Sequence, residues 1–343
     1  MTVLLNTLYV TLPQAWVSLD NDTIHFEVER QTRLRVPLHH IGSVVCLGNA
    51  TFSTPLMHRL ADEGIGLVFC NEHGRFKGRL EGPVSGNVLL RRAQHTHTDD
   101  STFTLTLARH FVAGKIANSR RVLLRAAREA QAADEQQTLS RAADDLAAAL
   151  RSLPAANSLD ILRGIEGAAA RQYFAGLNLV VRQDKRATFI MDGRSRRPPR
   201  DRMNALLSFL YSLLMNDSRG AIEAAGLDPQ IGFLHALRPG RAALALDLME
   251  ELRPMAERLA LTLINRGQIN PNDFDLREGG GVLLNEKSRK TVLLAYQERK
   301  QETLAHPLFE QPVPLGLVPL VQARLLARTI RGEMAAYLPF PIR

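Results

Sequence analysis

The periodicity of apolar residues in this chain of 343 residues changes near residue 92. Before that point, apolar and polar residues alternate over short segments such as 7–12 and 24–29, which is typical of half-buried β-strands. Beyond it, apolar residues recur every three or four positions, which is typical of amphipathic helices. The sequence therefore predicts an α+β fold of two domains, a β-rich, sandwich-like domain over 1–92 and a larger all-α domain over 93–343.

The predicted β-rich domain contains further strands and one short helix. Strands are expected at 16–19, within 39–48 and on both sides of a turn at 72–74. The helix is expected over 55–62, because Pro55 suits a first turn and Gly64 can close the end. Ser53 or Thr54 is the candidate N-cap.

The predicted helical domain begins where the composition becomes rich in arginine and alanine, after Asn87. The segment 119–153 has apolar residues at helical spacing with charges on the opposite face, which predicts a long helical hairpin. The segment 203–217 is almost continuously apolar, and it is therefore expected to form a central core helix.

Charge and cysteine content restrict the classes of partner and compartment. A formal net charge of +8 favours a polyanionic partner over an acidic small substrate. Cys46 and Cys70 lie in apolar, strand-like runs, so they are expected to be buried free thiols rather than part of a disulfide framework. No apolar run approaches the roughly 20 residues that span a bilayer, and the start lacks a basic region before an apolar core. A cytoplasmic location without membrane contact is predicted.

The segment 181–202 holds eight basic and three acidic residues. Its glycine and prolines oppose helix, so the sequence predicts a mobile, solvated loop. Such a loop could follow a phosphate backbone through its four central arginines, namely Arg194, Arg196, Arg197 and Arg200. The alternative is a loop that is merely soluble, because charge runs are usually solvated.

An acidic cluster occupies a predicted helix over 243–254. Asp247, Glu250 and Glu251 stand at i, i+3 and i+4, so a helix would place them on one surface, where they could share an ion. The alternative is an ordinary charged helix face, whose repulsion is relieved by Arg253 and Arg258.

One histidine and one glutamate elsewhere could join this cluster. His235 lies between an apolar run and a turn before the acidic helix, so its imidazole could face the acidic surface; otherwise it is a core histidine. Glu166 lies among alanines and glycines, where a buried carboxylate needs a partner. That partner is either a metal ion or an arginine, Arg163 or Arg171.

Carboxylates with one imidazole and no thiolate suit Mg²⁺ or Mn²⁺ better than zinc. Water and phosphate oxygens would complete the coordination, and the ion would then act on a phosphodiester. Neither a nucleophile elbow nor a Walker-type phosphate loop is present, and the glycine run at 279–281 lacks the Lys-Ser/Thr that such a loop requires.

Several long segments resemble, in order, the CRISPR-associated endonuclease and integrase family, Cas-one (Cas1). They are VPLHHIGSVVCLGNATFS, GLVFCNEHGRFKGRL, RGIEGAAARQYF, GRSRRPPRDRMNALLSFLYSLL, GLDPQIGFLHALRPGRAALALDLMEELRP and DFDLREGGGVLLNEKSRKTVLLAYQERK. The closing segment, HPLFEQPVPLGLVPLVQARLLARTIRGEMAAYLPF, resembles the type I-C branch. The resemblance covers nearly the whole chain.

The resemblance implies a β-rich domain that forms a homodimer and a helical catalytic domain with one metal site per subunit. By their motifs, the metal ligands and catalytic residues are Glu166, His235 and Glu250, with Asp247 as a supporting acidic residue and Glu251 on the solvated face. The implied activity is metal-dependent DNA cleavage. With the small Cas-two (Cas2) partner, it extends to transesterification in which the 3′-hydroxyl of double-stranded prespacer DNA attacks the CRISPR repeat.

Two other functions stay open at the level of sequence. A DNA- or RNA-binding assembly protein without catalysis would use the acidic cluster only structurally. A metal-dependent hydrolase of a small phosphorylated substrate would have no use for the basic segment. Metal-dependent nicking and the role of the basic arginines distinguish these alternatives from a DNA enzyme.

Overall fold

The computed structural model of the chain describes residues 6–82, 88–308 and 312–342. Three parts of the sequence predictions lie outside these ranges: the start at 1–5, Asn87, and residues 309–311 of the closing segment. The chain divides into two compact units. The first, here the β-rich unit, comprises Met1–Gly86 and Leu293–Glu302, and the second, here the helical unit, comprises Asn87–Val292 and Thr303–Arg343.

Over the described residues 6–82, the β-rich unit contains two four-stranded sheets and one α-helix, and the end of a later helix completes it. Its elements are β1 (Thr7–Val10), β2 (Trp16–Asp20), β3 (Thr23–Val28), β4 (Gln31–Pro37), β5 (Ser43–Leu47), β6 (Thr51–Phe52), α1 (Thr54–Asp62), β7 (Gly66–Cys70) and β8 (Phe76–Leu80). One sheet has the order β1-β5-β7-β8, parallel except for the last pair. The other has the order β4-β3-β2-β6, in which only β2 and β6 are parallel.

Alternate residues of both sheets form the core of this unit. Val17, Ile24 and Phe26 of one sheet and Val44 and Cys46 of the other belong to a single buried cluster with α1. Since successive side chains of a strand point to opposite faces, this arrangement follows from the alternation seen in the sequence. Both cysteines are buried and neither belongs to a disulfide, as predicted.

The short helix and most strands of this unit follow the sequence predictions. Ser53 caps α1 by accepting the N–H of Leu56, and Gly64 takes a positive φ of +68° just beyond the helix. The alternation pattern misses β4, because this strand lies at a sheet edge and most of its residues are exposed.

The helical unit begins at α2, and most of its residues are helical. The helices are α2 (Val88–Asp99), α3 (Ser101–Glu129), α4 (Ala133–Ser152), α5 (Leu159–Val180), α6 (Gln183–Phe189), α7 (Arg202–Ala224), α8 (Ala243–Glu250), α9 (Arg253–Asn265), α10 (Glu286–Gln301) and α11 (Val318–Ile330). Short strands form two antiparallel pairs, β9 (Phe274–Leu276) with β10 (Val282–Leu284) and β11 (Thr303–Leu304) with β12 (Val313–Pro314). The residues of α10 from Leu293 onward belong to the β-rich unit.

The predicted hairpin and core helix are both present. α3 and α4 pack as an antiparallel pair joined by a short turn, and α7 is buried along most of its length. The α+β fold, with a β-rich region followed by a larger helical region, is thus confirmed. None of the helices in the described ranges is both long and apolar enough to cross a membrane.

The prediction of a loop over 181–202 is wrong for the part that forms a helix, whereas 190–201 contain neither helix nor strand. Residues Gln183–Phe189 form α6, and the ring of Phe189 lies 6.1 Å from that of Phe274. Further along, the N–H of Val282 donates to the carbonyl of Pro199 at 2.9 Å. The glycine and prolines that oppose helix therefore shape an ordered segment, since the β9–β10 hairpin holds it.

Candidate metal centre

Three helices bring two glutamates and one lysine together. Lys115 lies on α3, Glu166 on α5 and Glu250 at the end of α8. The ammonium of Lys115 donates to Oε1 of Glu166 and lies 2.6 Å from Oε2 of Glu250. Glu166 thus has an ion-pair partner, but it is this lysine rather than either arginine considered from the sequence.

His235 faces the same place from the loop between α7 and α8. Its Nε2 lies 3.8 Å from Oε1 of Glu250, and its Nδ1 is hydrogen-bonded to Oδ1 of Asp247 at 2.7 Å. The side chain is 22% exposed, so it is not a fully buried core histidine. A carboxylate on Nδ1 fixes the ring orientation and leaves Nε2 available as a ligand.

Asp247 also organises the backbone of this loop. Its Oδ2 accepts the N–H groups of Phe233 at 2.6 Å and Leu234 at 3.0 Å, and its Oδ1 accepts the N–H of His235 at 2.9 Å. The carboxylate of Asp247 can come this close to the loop backbone because residue 232 is a glycine. A Cβ at Gly232 would lie 2.8 Å from Oδ2 of Asp247. Asp247 is completely buried, and it therefore supports His235 rather than facing an ion itself.

Arg163 connects the loop to the helix of Glu166. Its Nε and Nη2 donate to the carbonyl of Leu234 at 3.1 Å and 2.6 Å. Because Glu166 lies about one turn further along α5, this contact fixes the loop of His235 beside that glutamate.

Glu250 is buried and strongly acidic. Burial by itself raises its pKa, but the positive charge of Arg253, followed by that of Lys115, lowers it to about 2. Nη2 of Arg253, the first residue of α9, lies 2.8 Å from Oε1 of Glu250. The carboxylate is therefore ionised at neutral pH.

The side chains of Glu166, Glu250 and His235 offer carboxylate oxygens and one imidazole nitrogen as possible metal ligands. As they stand, no three His, Cys, Asp or Glu side chains within 6–82, 88–308 and 312–342 form a group that could hold one. Here an ammonium lies between the two carboxylates. Their chemistry fits a hard divalent cation, since two carboxylates from different helices already meet at one cationic group. The residues fit such an ion at the position that Lys115 takes.

The prediction that Glu251 lies on the solvated face is wrong. The side chain is completely buried and turns away from the candidate centre toward the C-terminal segment. It accepts three hydrogen bonds, from Oη of Tyr337 at 2.5 Å, Nε2 of Gln322 at 3.0 Å and the N–H of Phe340 at 2.8 Å. The three acidic residues of the cluster therefore do not share one surface, because α8 ends at Glu250.

Glu251 is expected to make stability depend on pH. Burial raises its pKa to about 7, from an ordinary value of 4.5. The neutral carboxyl thus stabilises the fold fully below pH 4.5, and this contribution is lost as the pH rises through 7. From pH 6 to 8 it should lower the free energy of unfolding by about 1 kcal/mol. Urea denaturation at both pH values should show this fall in the native chain and not in Glu251→Gln; equal dependence in both would contradict it.

A cavity of about 470 Å³ adjoins the candidate centre. Its charged wall residues are Lys115, Arg171, Arg194, Arg196, Arg253, Glu166, Asp192 and Glu257. Tyr173 and Phe174 add aromatic surface. Basic side chains thus outnumber acidic ones in the wall, which favours an anionic ligand beside Glu166.

The four arginines predicted to bind DNA differ in their surroundings. Arg196, Arg197 and Arg200 are exposed. Nη1 of Arg194 instead donates to Oδ1 of Asn204 at 2.5 Å, and its guanidinium lies 5.1 Å from the ring centroid of Tyr211. Arg194 therefore contributes to the structure of the segment, whereas the other three present their charge to solvent.

Sequence reasoning missed Lys115 and Glu257. Lys115 interrupts FVAGKIAN, a mostly apolar stretch of α3, and a lone cation in such a stretch is the signal that could have revealed it. Glu257 lies on α9, where its Oε1 accepts the hydroxyl of Tyr211. Its sequence neighbours give no comparable signal.

The fold and the candidate centre define a class of α+β proteins that gather two glutamates and a histidine in a helical unit. The family model described as CRISPR associated protein Cas1 matches residues 8–298. A CRISPR-associated endonuclease Cas1 from Moorella thermoacetica is 54% identical over 100% of both chains. Another, from Chlorobaculum tepidum, is 45% identical over 98% of each. The chain belongs to the Cas1 family.

Solved structures show the same fold. A casposase bound to integration product matches with a TM-score of 0.83 at 19% identity, over 97% of this chain and 92% of that chain. A Cas1 protein from Thermotoga maritima matches with a TM-score of 0.82 at 24% identity, over 97% and 99%. A chain of a Cas6-RT-Cas1–Cas2 complex also matches, with a TM-score of 0.82 at 24% identity. The match covers 99% of this chain and 36% of that chain.

Proposed function

We propose that this chain is a metal-dependent DNA endonuclease and integrase of CRISPR adaptation, which inserts prespacer DNA into the repeat array. The main support is that Glu166 and Glu250, from separate helices, meet at one ammonium, and that Nε2 of His235 lies 3.8 Å from Glu250. Curated relatives are named endonucleases, and one structural neighbour is a casposase bound to an integration product.

Glu166, Glu250 and Nε2 of His235 would hold a magnesium or manganese ion, to which carboxylate oxygens and imidazole are suited. Such an ion, when bound, polarises a phosphate and stabilises the attacking or leaving oxygen of an in-line displacement. The chain itself orients the donors: Asp247 holds His235 through Nδ1, and Arg253 neutralises one oxygen of Glu250. In integration, the attacking group is the 3′-hydroxyl of the prespacer.

The exposed arginines near the cavity would bind the DNA backbone. Arg196 lies in the cavity wall together with Glu166, so a duplex following the basic segment would reach the candidate centre. Arg197 and Arg200 extend the positive surface. Such contacts act by counterion release and are insensitive to base sequence.

Replacing Arg196, Arg197 and Arg200 by glutamine should weaken binding to all duplexes alike. The dependence of log affinity on log salt concentration should become shallower by about 1 for each phosphate group that the chain no longer neutralises. Fluorescence anisotropy with labelled duplex DNA over a range of salt concentrations measures both effects.

A charge-matched control removes three exposed arginines of the α3–α4 pair, Arg125, Arg128 and Arg141. This control variant should keep the slope of log affinity against log salt concentration near that of the native chain. An unchanged slope in the first variant would mean that the basic segment is merely solvated.

The proposed assembly contains a homodimer and the small Cas-two partner. Domain 1–92 would form the dimer, and the exposed Trp16 (45%) and Leu34 (46%) of its sheet support this, because Leu34 lies on the edge strand β4. A Cas1–Cas2 complex among the structural neighbours supports the second partner. We also propose the type I-C branch, from the closing segment, and a cytoplasmic location. Light scattering on the purified chain, alone and with the partner, tests the assembly.

One assay separates the proposed function from its rivals. The chain, the partner, a prespacer duplex and repeat DNA are incubated with magnesium, manganese or chelator. Integration that requires the metal supports the proposal. DNA binding without nicking or integration would favour the non-catalytic assembly protein, and activity on small phosphate esters alone would favour a hydrolase.

A further inference from the structure

A buried cation already occupies the position between the two proposed glutamate ligands. The side chain of Lys115 is only 14% exposed, and its ammonium contacts Glu166 and Glu250 together. Two carboxylates this close would repel each other strongly if no positive charge lay between them. Lys115 therefore holds both side chains in a convergent arrangement when no metal is bound.

The ammonium of Lys115 and a divalent metal ion cannot occupy the position between Glu166 and Glu250 at the same time. A divalent ion bound by Glu166 and Glu250 would lie within a few ångströms of the ammonium, in a partly buried place where screening by water is weak. The ammonium would also block an oxygen of each carboxylate that the ion needs. Binding of the ion thus requires that the lysine side chain leave.

The structure contains a second carboxyl group, that of Glu257, beside which that side chain could lie. Glu257 is buried, where its Oε1 accepts the hydroxyl of Tyr211 and the hydroxyl of Tyr173 also faces its carboxyl group. Lys115 and Glu257 both line the cavity of about 470 Å³, so the lysine can turn toward Glu257 without crossing packed core. A buried carboxylate whose partners are neutral hydroxyls is costly to ionise, and an ammonium would stabilise its charge.

We propose that Lys115 is an internal counter-cation that bridges Glu166 and Glu250 in the metal-free chain and turns to Glu257 when a divalent ion binds. This rests on the proposed function, because it requires the ion at those two glutamates. The metal then replaces a bound cation at ligands that are already ionised and converged. Lys115 acts as a positioning residue and as a competitor of the metal.

A double-mutant cycle tests this, with the dissociation constant of Mn²⁺ as the readout. Titrations followed by the electron paramagnetic resonance of free Mn²⁺ compare the native chain, Lys115→Met, Glu257→Gln and the double variant. Lys290→Met, which removes an exposed lysine paired with Glu286, is the matched control.

Lys115→Met should bind Mn²⁺ at least roughly tenfold more tightly than the native chain, because the competing charge is gone. Glu257→Gln should bind it several-fold more weakly, because the displaced ammonium has lost its partner. In the Lys115→Met background, Glu257→Gln should have no further effect. Lys290→Met should match the native chain.

Two results would overturn the proposal. One is an unchanged Mn²⁺ affinity in Lys115→Met, which would mean that the lysine and the ion do not compete. The other is that Glu257→Gln changes the Mn²⁺ affinity equally in the native chain and in the Lys115→Met variant. If Lys115→Met does not fold, Glu257→Gln alone decides, since unchanged affinity in that variant removes Glu257 as the second position.

Failure of the proposed function has a different signature. A native chain that binds no Mn²⁺, or that binds it equally well after Glu166→Ala, would place the metal elsewhere or nowhere. Loss of binding in Glu166→Ala together with unchanged binding in Lys115→Met would keep the metal site and overturn only the exchange of cations.

Discussion

His235→Ala is expected to lower metal-dependent DNA cleavage and integration by more than about a hundredfold and to leave the fold intact. The large loss follows from removal of the only imidazole that faces Glu250 within the described residues. The fold should survive because Asp247 keeps its bonds to the backbone N–H groups of the loop, including that of residue 235. Nicking of a labelled duplex with Mn²⁺, beside a urea unfolding curve, measures both.

Glu166→Ala and Glu250→Ala should lose activity to a similar extent. If Glu166, His235 and Glu250 bind one metal ion as proposed, they act as one unit, and a double variant should lose little beyond either single one. His95→Ala, an exposed histidine of α2, is the control for loss of an imidazole. Near-native integration by a folded His235→Ala chain, or strictly additive losses, would contradict the site.

The second large effect is expected on stability. Asp247→Ala should lower the free energy of unfolding by about 3–5 kcal/mol, because three backbone N–H groups of the loop lose their buried acceptor. His235 would lose the bond to Nδ1 as well, so activity should fall even where the chain remains folded. Urea denaturation gives the first quantity, and nicking below the unfolding transition gives the second.

A suitable control is Asp160→Ala, whose side chain is 93% exposed and pairs with Arg163 on the surface. Exposed ion pairs contribute up to about 1 kcal/mol. If Asp247→Ala were no more destabilising than this control, the loop would not depend on the buried carboxylate. Asp247→Asn should be intermediate, because its NH₂ group cannot accept the N–H groups that a carboxylate oxygen accepts.

Local sequence signals were sufficient for much of the fold. Alternation in β2 and β3, the Ser53 cap of α1 and the apolar run of α7 depend on residues a few positions apart, which act alike in any context. The basic segment shows where such signals fail. Its prolines lie where no helix forms, but Gln183–Phe189 before them are helical, and the β9–β10 hairpin, about 80 residues further along, is hydrogen-bonded to Pro199.

The sequence by itself determined the two-part α+β architecture, the positive charge and the candidates Glu166, His235 and Glu250, because periodicity, composition and motifs are properties of neighbouring residues. Only the tertiary structure decided how those candidates are used. It placed Lys115 between two glutamates that lie far from it in sequence, and it turned Glu251 into the core. Contacts between distant helices depend on how whole faces pack, and no local pattern encodes which buried charge meets which partner.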